Sequence, residues 1–346
     1  MFERKSLAIA MAATLWSLPM MASAAEVSAR SEMQIYGRAH LSVDMLKDGA
    51  GYSEVNLSDN SSRLGFRGTS DFGELSGFFQ IEQGINFSES GHLLASRDTF
   101  AGIRGDFGML RIGKFNTPFK DARGPANLFG DQVGDLRNLA RVGEARFDER
   151  APNVIHYQTP RLGAMQFNLA YSHHEGDYKE EDAKDSAMST SLSYREGPLD
   201  LALAYEAFGE DASRGKRSAV RLAVGYQVVD AVKLVGFYQT ADHDDDAHDA
   251  DVYGAGVNYA ITPRKTYLNA HYLMRSADAA DSDSQLFALG VEHRVHSDLR
   301  FYVNYAQMAN DENAALTPWR QSRTASPAGA AGETASVLSF GMRYDF

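Results

Sequence analysis

Residues 33–44 read MQIYGRAHLSVD. In an extended chain Met33, Ile35, Gly37, Ala39, Leu41 and Val43 fall on one side. Gln34, Tyr36, Arg38, His40, Ser42 and Asp44 fall on the other. A period of two held this long is a strand. It outruns the ~5–6 residues usual in a soluble sheet and covers the ~9–11 needed for a tilted bilayer crossing. An arginine on the lipid side of such a strand costs about 2–4 kcal/mol at the midplane. If this strand crosses a membrane, the Arg38 side is the inner side and the apolar side faces lipid.

The pattern recurs along the chain. Segment 55–68 sets Leu64 and Phe66 against Arg63 and Arg67. Segment 97–107 puts Phe100 outward and Arg97, Thr99 and Ala101 inward. Further strands are expected at 75–87, 109–115, 151–159, 165–172, 186–195, 199–206, 218–229, 252–261, 265–275, 285–295, 299–308 and 336–346. Segment 232–240 alternates poorly, because Val235 and Phe237 share a side with Lys233. The total is about sixteen strands, at roughly 20 residues per strand and connection, a size whose interior is a water channel rather than a packed core. Connections alternate between short turns (Glu196-Gly197-Pro198, Thr262-Pro263-Arg264) and longer polar loops (175–185, 242–251, 310–334). Short turns at one end and long loops at the other mark an all-β transmembrane antiparallel barrel, with both chain ends on the short-turn side.

One stretch refuses to alternate: residues 116–150, NTPFKDARGPANLFGDQVGDLRNLARVGEARFDER. A loop this long inside a strand-rich chain is usually functional. It is expected to fold into the lumen and narrow it. Leu136, Leu139, Ala140 and Gly143 sit at helical spacing, which suggests a short helix within 135–144.

The bulk composition bounds the remaining readings. The chain has 346 residues, no cysteine, 34 basic against 46 acidic residues and a net charge of −12. An acidic balance argues against nucleic acid. Arg4 and Lys5, the apolar run 7–20 and Ala22-Ser23-Ala24 read as an export signal cleaved near residue 25. No later run approaches the ~20 apolar residues of a membrane helix, so an exported chain of this kind is either soluble or a membrane barrel, and the alternation favours residues 26–346 as a single barrel domain. An exported chain without disulfides needs another closure device. A hydrolase reading fails for want of a serine in a nucleophile setting near His92, His156, His173 or His174. The acidic run 242–249, DHDDDAHD, is read as a solvated surface loop rather than a metal site, and no cofactor is expected.

With these pieces in place the sequence resembles the Gram-negative general porins, trimeric and sixteen-stranded, over essentially the whole mature chain. The matching segments are Tyr36-Gly37-Arg38, 62–68 (SRLGFRG), 96–102 (SRDTFAG), 110–114 (LRIGK) and 339–346 (SFGMRYDF). The resemblance implies an outer-membrane channel for passive diffusion of small hydrophilic solutes and ions. A solute-specific channel and a structural or adhesive barrel are the alternatives. The resemblance also implies a constriction at mid-height. Its basic wall would be Arg38, Arg63, Arg97 and Arg150, and its loop acids Asp121, Asp131 and Asp135. Gly341, Tyr344 and Phe346 resemble the signal read by the outer-membrane assembly machinery. A homotrimer is implied, with Glu89 reaching a neighbour, in contact with outer-membrane lipid and lipopolysaccharide. Because the loop also carries Arg123, Arg137 and Arg141, the sign of ion selectivity stays open at this stage.

Overall fold

The alternation at 33–44 is built as strand β1 (Ser31–Lys47). One edge of β1 pairs with β2 (Ser53–Asp59) and β3 (Arg63–Asp71), two pieces of one path interrupted at residues 60–62. Around the sheet follow β4 (Ser76–Ile85), β5 (Leu94–Gly105), β6 (Gly108–Asn116), β7 (Arg150–Gln158), β8 (Met165–His173), β9 (Ser186–Glu196), β10 (Leu199–Phe208) and β11 (Arg217–Val229). The circuit continues through β12 (Val232–His243), β13 (Ala250–Thr262), β14 (Thr266–Ala277), β15 (Ser284–Arg294), β16 (Leu299–Asn310) and β17 (Ala335–Asp345). The computed structural model describes residues 31–88, 94–173, 186–209, 214–321 and 327–346. The expected export signal, Glu89, His92 and His174 lie outside the described residues.

Neighbouring strands are antiparallel, and β17 returns to the open edge of β1, with Arg38 opposite Asp345 and Lys47 opposite Ser336. With β2 and β3 counted as one stave, this is a closed sixteen-stranded barrel. Pairing of β17 with β1 removes the free edge at each end of the sheet, which is the condition for a sheet to cross a membrane. At the seam the Gly37 amide donates to the Phe346 carbonyl at 2.8 Å, and the Phe346 amide donates back at 3.0 Å.

Every strand contributes at least one large apolar side chain to the exposed outer face, for example Ile35, Phe66, Ile112, Leu203, Tyr253 and Phe340. A continuous apolar surface of this extent is unstable in water and is what hydrocarbon requires. The buried apolar residues lie elsewhere, between residues 116–150 and the opposite face of the strands. Leu136, Leu139 and Ala140 pack with Val235, Phe237, Val252, Leu273, Leu286 and Met308. Phe119 and Phe147 pack with small residues of β10, β11 and β12, among them Ala204, Ala219 and Ala241.

That packing explains the weak alternation of 232–240. Val235 and Phe237 share a side with Lys233 because they meet the loop, and both are buried. Two expectations are corrected. Phe100 was expected outward. In β5, however, Ile81 opposes Thr99 and Gln83 opposes Ser96, so Arg97 and Asp98 together face Glu82. This bulge reverses the parity beyond it. Phe100 turns inward, edge-on to Phe115 at 5.6 Å, and Ala101 is exposed instead. The helix expected within 135–144 is one turn, α2 (Arg137–Ala140), following a first turn α1 (Pro118–Asp121). Thr117 caps α1, its hydroxyl accepting from the Lys120 amide. α2 stops where Arg141 leaves helical geometry and its carbonyl accepts from Gln321 Nε2 at 3.1 Å.

Candidate channel constriction

Arg38 and Arg63 are direct cross-strand partners in β1 and β3. Like charges placed opposite one another are destabilising, so the pair requires an anion between its ends. Asp131 supplies it, 3.9 Å from Arg38 Nη1 and 3.6 Å from Arg63 Nη2. The loop holds Asp131 in place through Arg137, whose Nη2 donates to it at 2.8 Å. Burial alone would raise the pKa of Asp131. Arg137 first and Arg63 next more than offset this and hold its carboxyl well below the usual carboxylate range.

The other arginines expected on the wall are fixed by acids of the wall itself. Arg97 Nε donates to Glu82 Oε1 at 2.6 Å, and Glu82 also lies 3.7 Å from Arg63. Arg150 pairs with Asp98, the second residue of the β5 bulge. Arg38 Nε donates to Asp345 at 2.6 Å. Sequence pattern alone does not name Glu82, Asp98 and Asp345 as the partners of these arginines. Their signal was available only in part: Glu82 alternates onto the inner side of β4, whereas Asp98 reaches the cluster through a bulge that alternation cannot locate.

The structure separates the three loop acids. Asp131 faces the arginines of β1 and β3. Asp135 is fully buried within the loop and accepts from the Arg137 side chain at 2.5 Å and from the amides of Asp131 and Arg137. Asp121 accepts from Asn116 Nδ2 at 3.2 Å and lines a different hollow with Arg111 and His156. His156 sits between Arg111 Nε and Asn168 Oδ1, at 2.9 and 3.1 Å.

Five further ties hold residues 116–150 to strands around the barrel. Asp148 meets Arg221 of β11 at 2.5 Å, with both side chains fully buried. Arg221 also donates to the Phe119 carbonyl and to Gln239. Gln239 Nε2 donates to the Ala140 carbonyl, and Asn304 Nδ2 to Gln132. The Ser189 hydroxyl accepts from the Phe119 amide at 3.0 Å. The segment after β16 adds a second layer, its Pro318 carbonyl accepting from the Gly134 amide and from Asn138.

Two hollows meet at Arg38, Arg123 and Asp131. The one toward the long loops has a volume of about 320 Å³ and is lined by Arg38, Arg63, Arg97, Lys120, Arg123, Arg137, Arg141 and Arg150, with Asp131 as its one acid. The one toward the short turns, about 390 Å³, adds Arg294, Arg300 and Arg343 with Glu292. Such an arrangement sets a transverse field in water and offers no nucleophile or metal chemistry. In the acidic run, the His243 ring accepts from the Asp245 amide and meets the Arg214 carbonyl; among the described residues no His, Asp and Glu group is arranged to hold a metal ion.

The residues expected to signal assembly occupy the seam. Gly341 lies directly opposite Tyr302, where a Cβ would come within 2.1 Å of the Tyr302 ring. That ring is buried, its hydroxyl bonded to His40 and Asn60. Tyr344 and Phe346 are exposed on the outer face with ring centroids 5.7 Å apart.

Comparison with known proteins places this geometry in a family. A model of Gram-negative porins matches residues 8–313. Outer membrane porin protein 32 of Delftia acidovorans is 27% identical over 355 residues, spanning 96% of this chain and 99% of that one. An outer membrane porin protein of Bordetella pertussis is 30% identical over 171 residues, where the match spans 45% of this chain and 44% of the relative. Among solved structures, an anion-selective porin from Comamonas acidovorans superposes with a TM-score of 0.79 at 24% identity, over 91% of this chain and 100% of that one. The closed barrel, its lipid-facing surface and the match along most of its length agree: the chain belongs to the Gram-negative porin family and forms an outer-membrane channel for passive diffusion of small hydrophilic solutes.

Proposed function

We propose that residues 116–150 fold into the lumen as the constriction of this porin, and that the gap passes anions in preference to cations. The observation that carries the reading is the lining of the 320 Å³ hollow, seven arginines and one lysine against the single carboxylate Asp131. The net charge of −12 for the whole chain does not oppose this. Charges more than about 8 Å away are screened at physiological ionic strength, so the local lining sets the field. The anion-selective character given for the Comamonas acidovorans porin supports the same sign. General diffusion is favoured over a solute-specific path. Of the inward tyrosines, Tyr302 is buried against His40 and Asn60, and Tyr36 donates to Glu82, which leaves Tyr267 as the one that lines a hollow. In planar bilayers under a KCl gradient the reversal potential is expected on the chloride side. A potential on the potassium side would reject the anion preference, and the absence of stepwise current would reject the channel.

The same reading includes export through a signal cleaved near residue 25, assembly as a homotrimer with Glu89 reaching a neighbour, and an outer face set among lipid and lipopolysaccharide. Recognition by the assembly machinery would use Gly341, Tyr344 and Phe346. Gels run without heating test the trimer contact and the assembly signal. Glu89→Ala is expected to lower the temperature at which the oligomer dissociates, and removal of Phe346 to reduce the folded barrel recovered from membranes. Unchanged bands would refute the corresponding role.

A further inference from the structure

The bulge that turns Phe100 inward builds a second surface on the inner wall. Gln34, Arg67, Gln80 and Phe100 are successive cross-strand partners of β1, β3, β4 and β5 and share the inner face. Two residues nearer the short turns, Thr69, Phe78, Gly102 and Arg111 share it as well. Phe78 and Phe115 meet Phe100 edge to face, with centroids 6.1 and 5.6 Å away. Gly102 leaves room beside them, because a Cβ there would stand 2.7 Å from the Phe78 ring and 2.8 Å from Arg111 Cβ. Guanidinium groups lie on the rings. Arg111 is 3.9 Å from the Phe115 centroid and 4.9 Å from that of Phe100, and Arg104 is 5.5 Å from that of Phe78. Arg67 lies 4.9 Å over Tyr36 in the same way. Phe78, Phe100 and the three arginines line a hollow of about 760 Å³ in which Glu32 is the one acid.

Neutral groups hold these arginines. Arg111 Nε donates to His156 Nδ1 at 2.9 Å, Arg67 donates twice to Gln34 Oε1, and Arg104 Nη2 lies 3.5 Å from Thr69 Oγ1. Among the described residues none of the three is ion-paired. The acids that act on Arg111 from farther off are engaged elsewhere, Asp98 by Arg150 and Asp121 by Asn116. Arg104 is exposed and Arg111 partly so. Two chemistries thus stand side by side: planar donor forks that fit a carboxylate, and ring faces and edges that fit another ring. We propose that this hollow binds small aromatic monocarboxylates, with the carboxylate on Arg111 and Arg104 and the ring on Phe78 and Phe100. The inference goes beyond the constriction reading and does not depend on it, because none of these residues lines the 320 Å³ hollow. An aliphatic carboxylate would engage the arginines and gain no ring contact; a neutral arene would engage the rings and leave the forks empty. One face of each guanidinium is already covered by a ring, so a ligand ring on the other completes a layered stack. A wall site of this kind slows one class of solute without closing the path to others.

The test reads binding directly. The fluorine NMR line of para-fluorobenzoate is expected to broaden when the detergent-solubilised barrel is added. Benzoate should restore the narrow line at a concentration about three- to tenfold lower than cyclohexanecarboxylate, which has the same charge and a more apolar ring without π-electrons. Phe78→Leu keeps an apolar side chain and is expected to bring the two competitors within about twofold of each other. Arg111→Lys keeps the charge but loses the planar fork, and is expected to weaken benzoate about threefold or more. Unheated gels verify that each variant is a folded barrel, and partition into detergent is common to all of them. Equal potency of the two competitors on the wild-type protein, or wild-type broadening and preference retained in both variants, overturns the site. The readout needs no current, so its failure is separate from that of the anion preference, which the reversal potential in bilayers decides.

Discussion

Asp148→Ala is expected to release the 116–150 segment from the barrel wall and to do so at large cost. Asp148 and Arg221 are both fully buried and lie 2.5 Å apart. Burial by itself would raise the Asp148 pKa; Arg221 and then Arg123 reverse the direction and hold it low. Removing one member of a buried pair strands the other charge, which typically costs about 3–5 kcal/mol. Arg221 also donates to the Phe119 carbonyl and lies 4.0 Å over the Phe119 ring, so its displacement would disturb α1 as well. The barrel itself should survive, because Arg221 sits in β11 with its backbone paired to β10 and β12. Single-channel current should become larger and noisier, and trypsin should cut at the arginines between 120 and 150 that the wild type protects. The double variant Asp148→Ala/Arg221→Met removes the stranded charge and fills the volume of the arginine stem. It is expected to recover much of the quiet current and protease resistance. A double variant as loose as the single one would mean that the pair acts by its specific geometry and not by charge balance. A single variant as tight as the wild type would remove Asp148 as an anchor altogether.

Why that pair could not be read from the sequence says where sequence reading stops. The barrel was legible because lipid on one side and water on the other impose a period of two, and a period is a local property. Met33 to Asp44 and Leu338 to Phe346 show it without help from any contact. The reading failed wherever backbone irregularity or tertiary packing resets the period. One extra residue at Arg97 and Asp98 sent Phe100 to the wrong side and hid Asp98 as a partner of Arg150. The docking of Leu136 and Leu139 against Val235 and Phe237 replaced polar inner positions with apolar ones and made β12 look irregular. Within the loop, charge pattern gives composition but no partners. Asp121, Asp131 and Asp135 are equivalent as letters, and only the folded path separates one that faces the wall, one locked inside the loop and one in another hollow.

The same distinction fixes the expected result for Asp131→Asn. Asp131 is the one carboxylate lining the long-loop hollow, its side chain 22% exposed and within 4 Å of both Arg38 and Arg63. A solute ion passing the point where the two hollows meet comes close to it. A unit charge at about 4 Å is worth about 1 kcal/mol in bulk water and more where water is confined. Taking the lower figure, because a diffusion channel is wet, removal of the charge should help chloride and hinder potassium by about fivefold each, raising the chloride-to-potassium permeability ratio on the order of 25-fold. Arg38 and Arg63, opposed across β1 and β3, would lose the anion between them and spread apart, but Asp345 and Glu82 still hold their other nitrogens. The ratio should therefore change more than the fold does. Asp121→Asn makes the same change of charge on the same loop and is expected to leave the ratio within about twofold, because its carboxyl is turned to Asn116 beside Arg111 and His156. Equal shifts from the two variants would mean that loop charge acts as a smeared total and that the placement of Asp131 has no special weight. A shift from Asp131→Asn alone would tie selectivity to the one acid that the fold sets against the arginines.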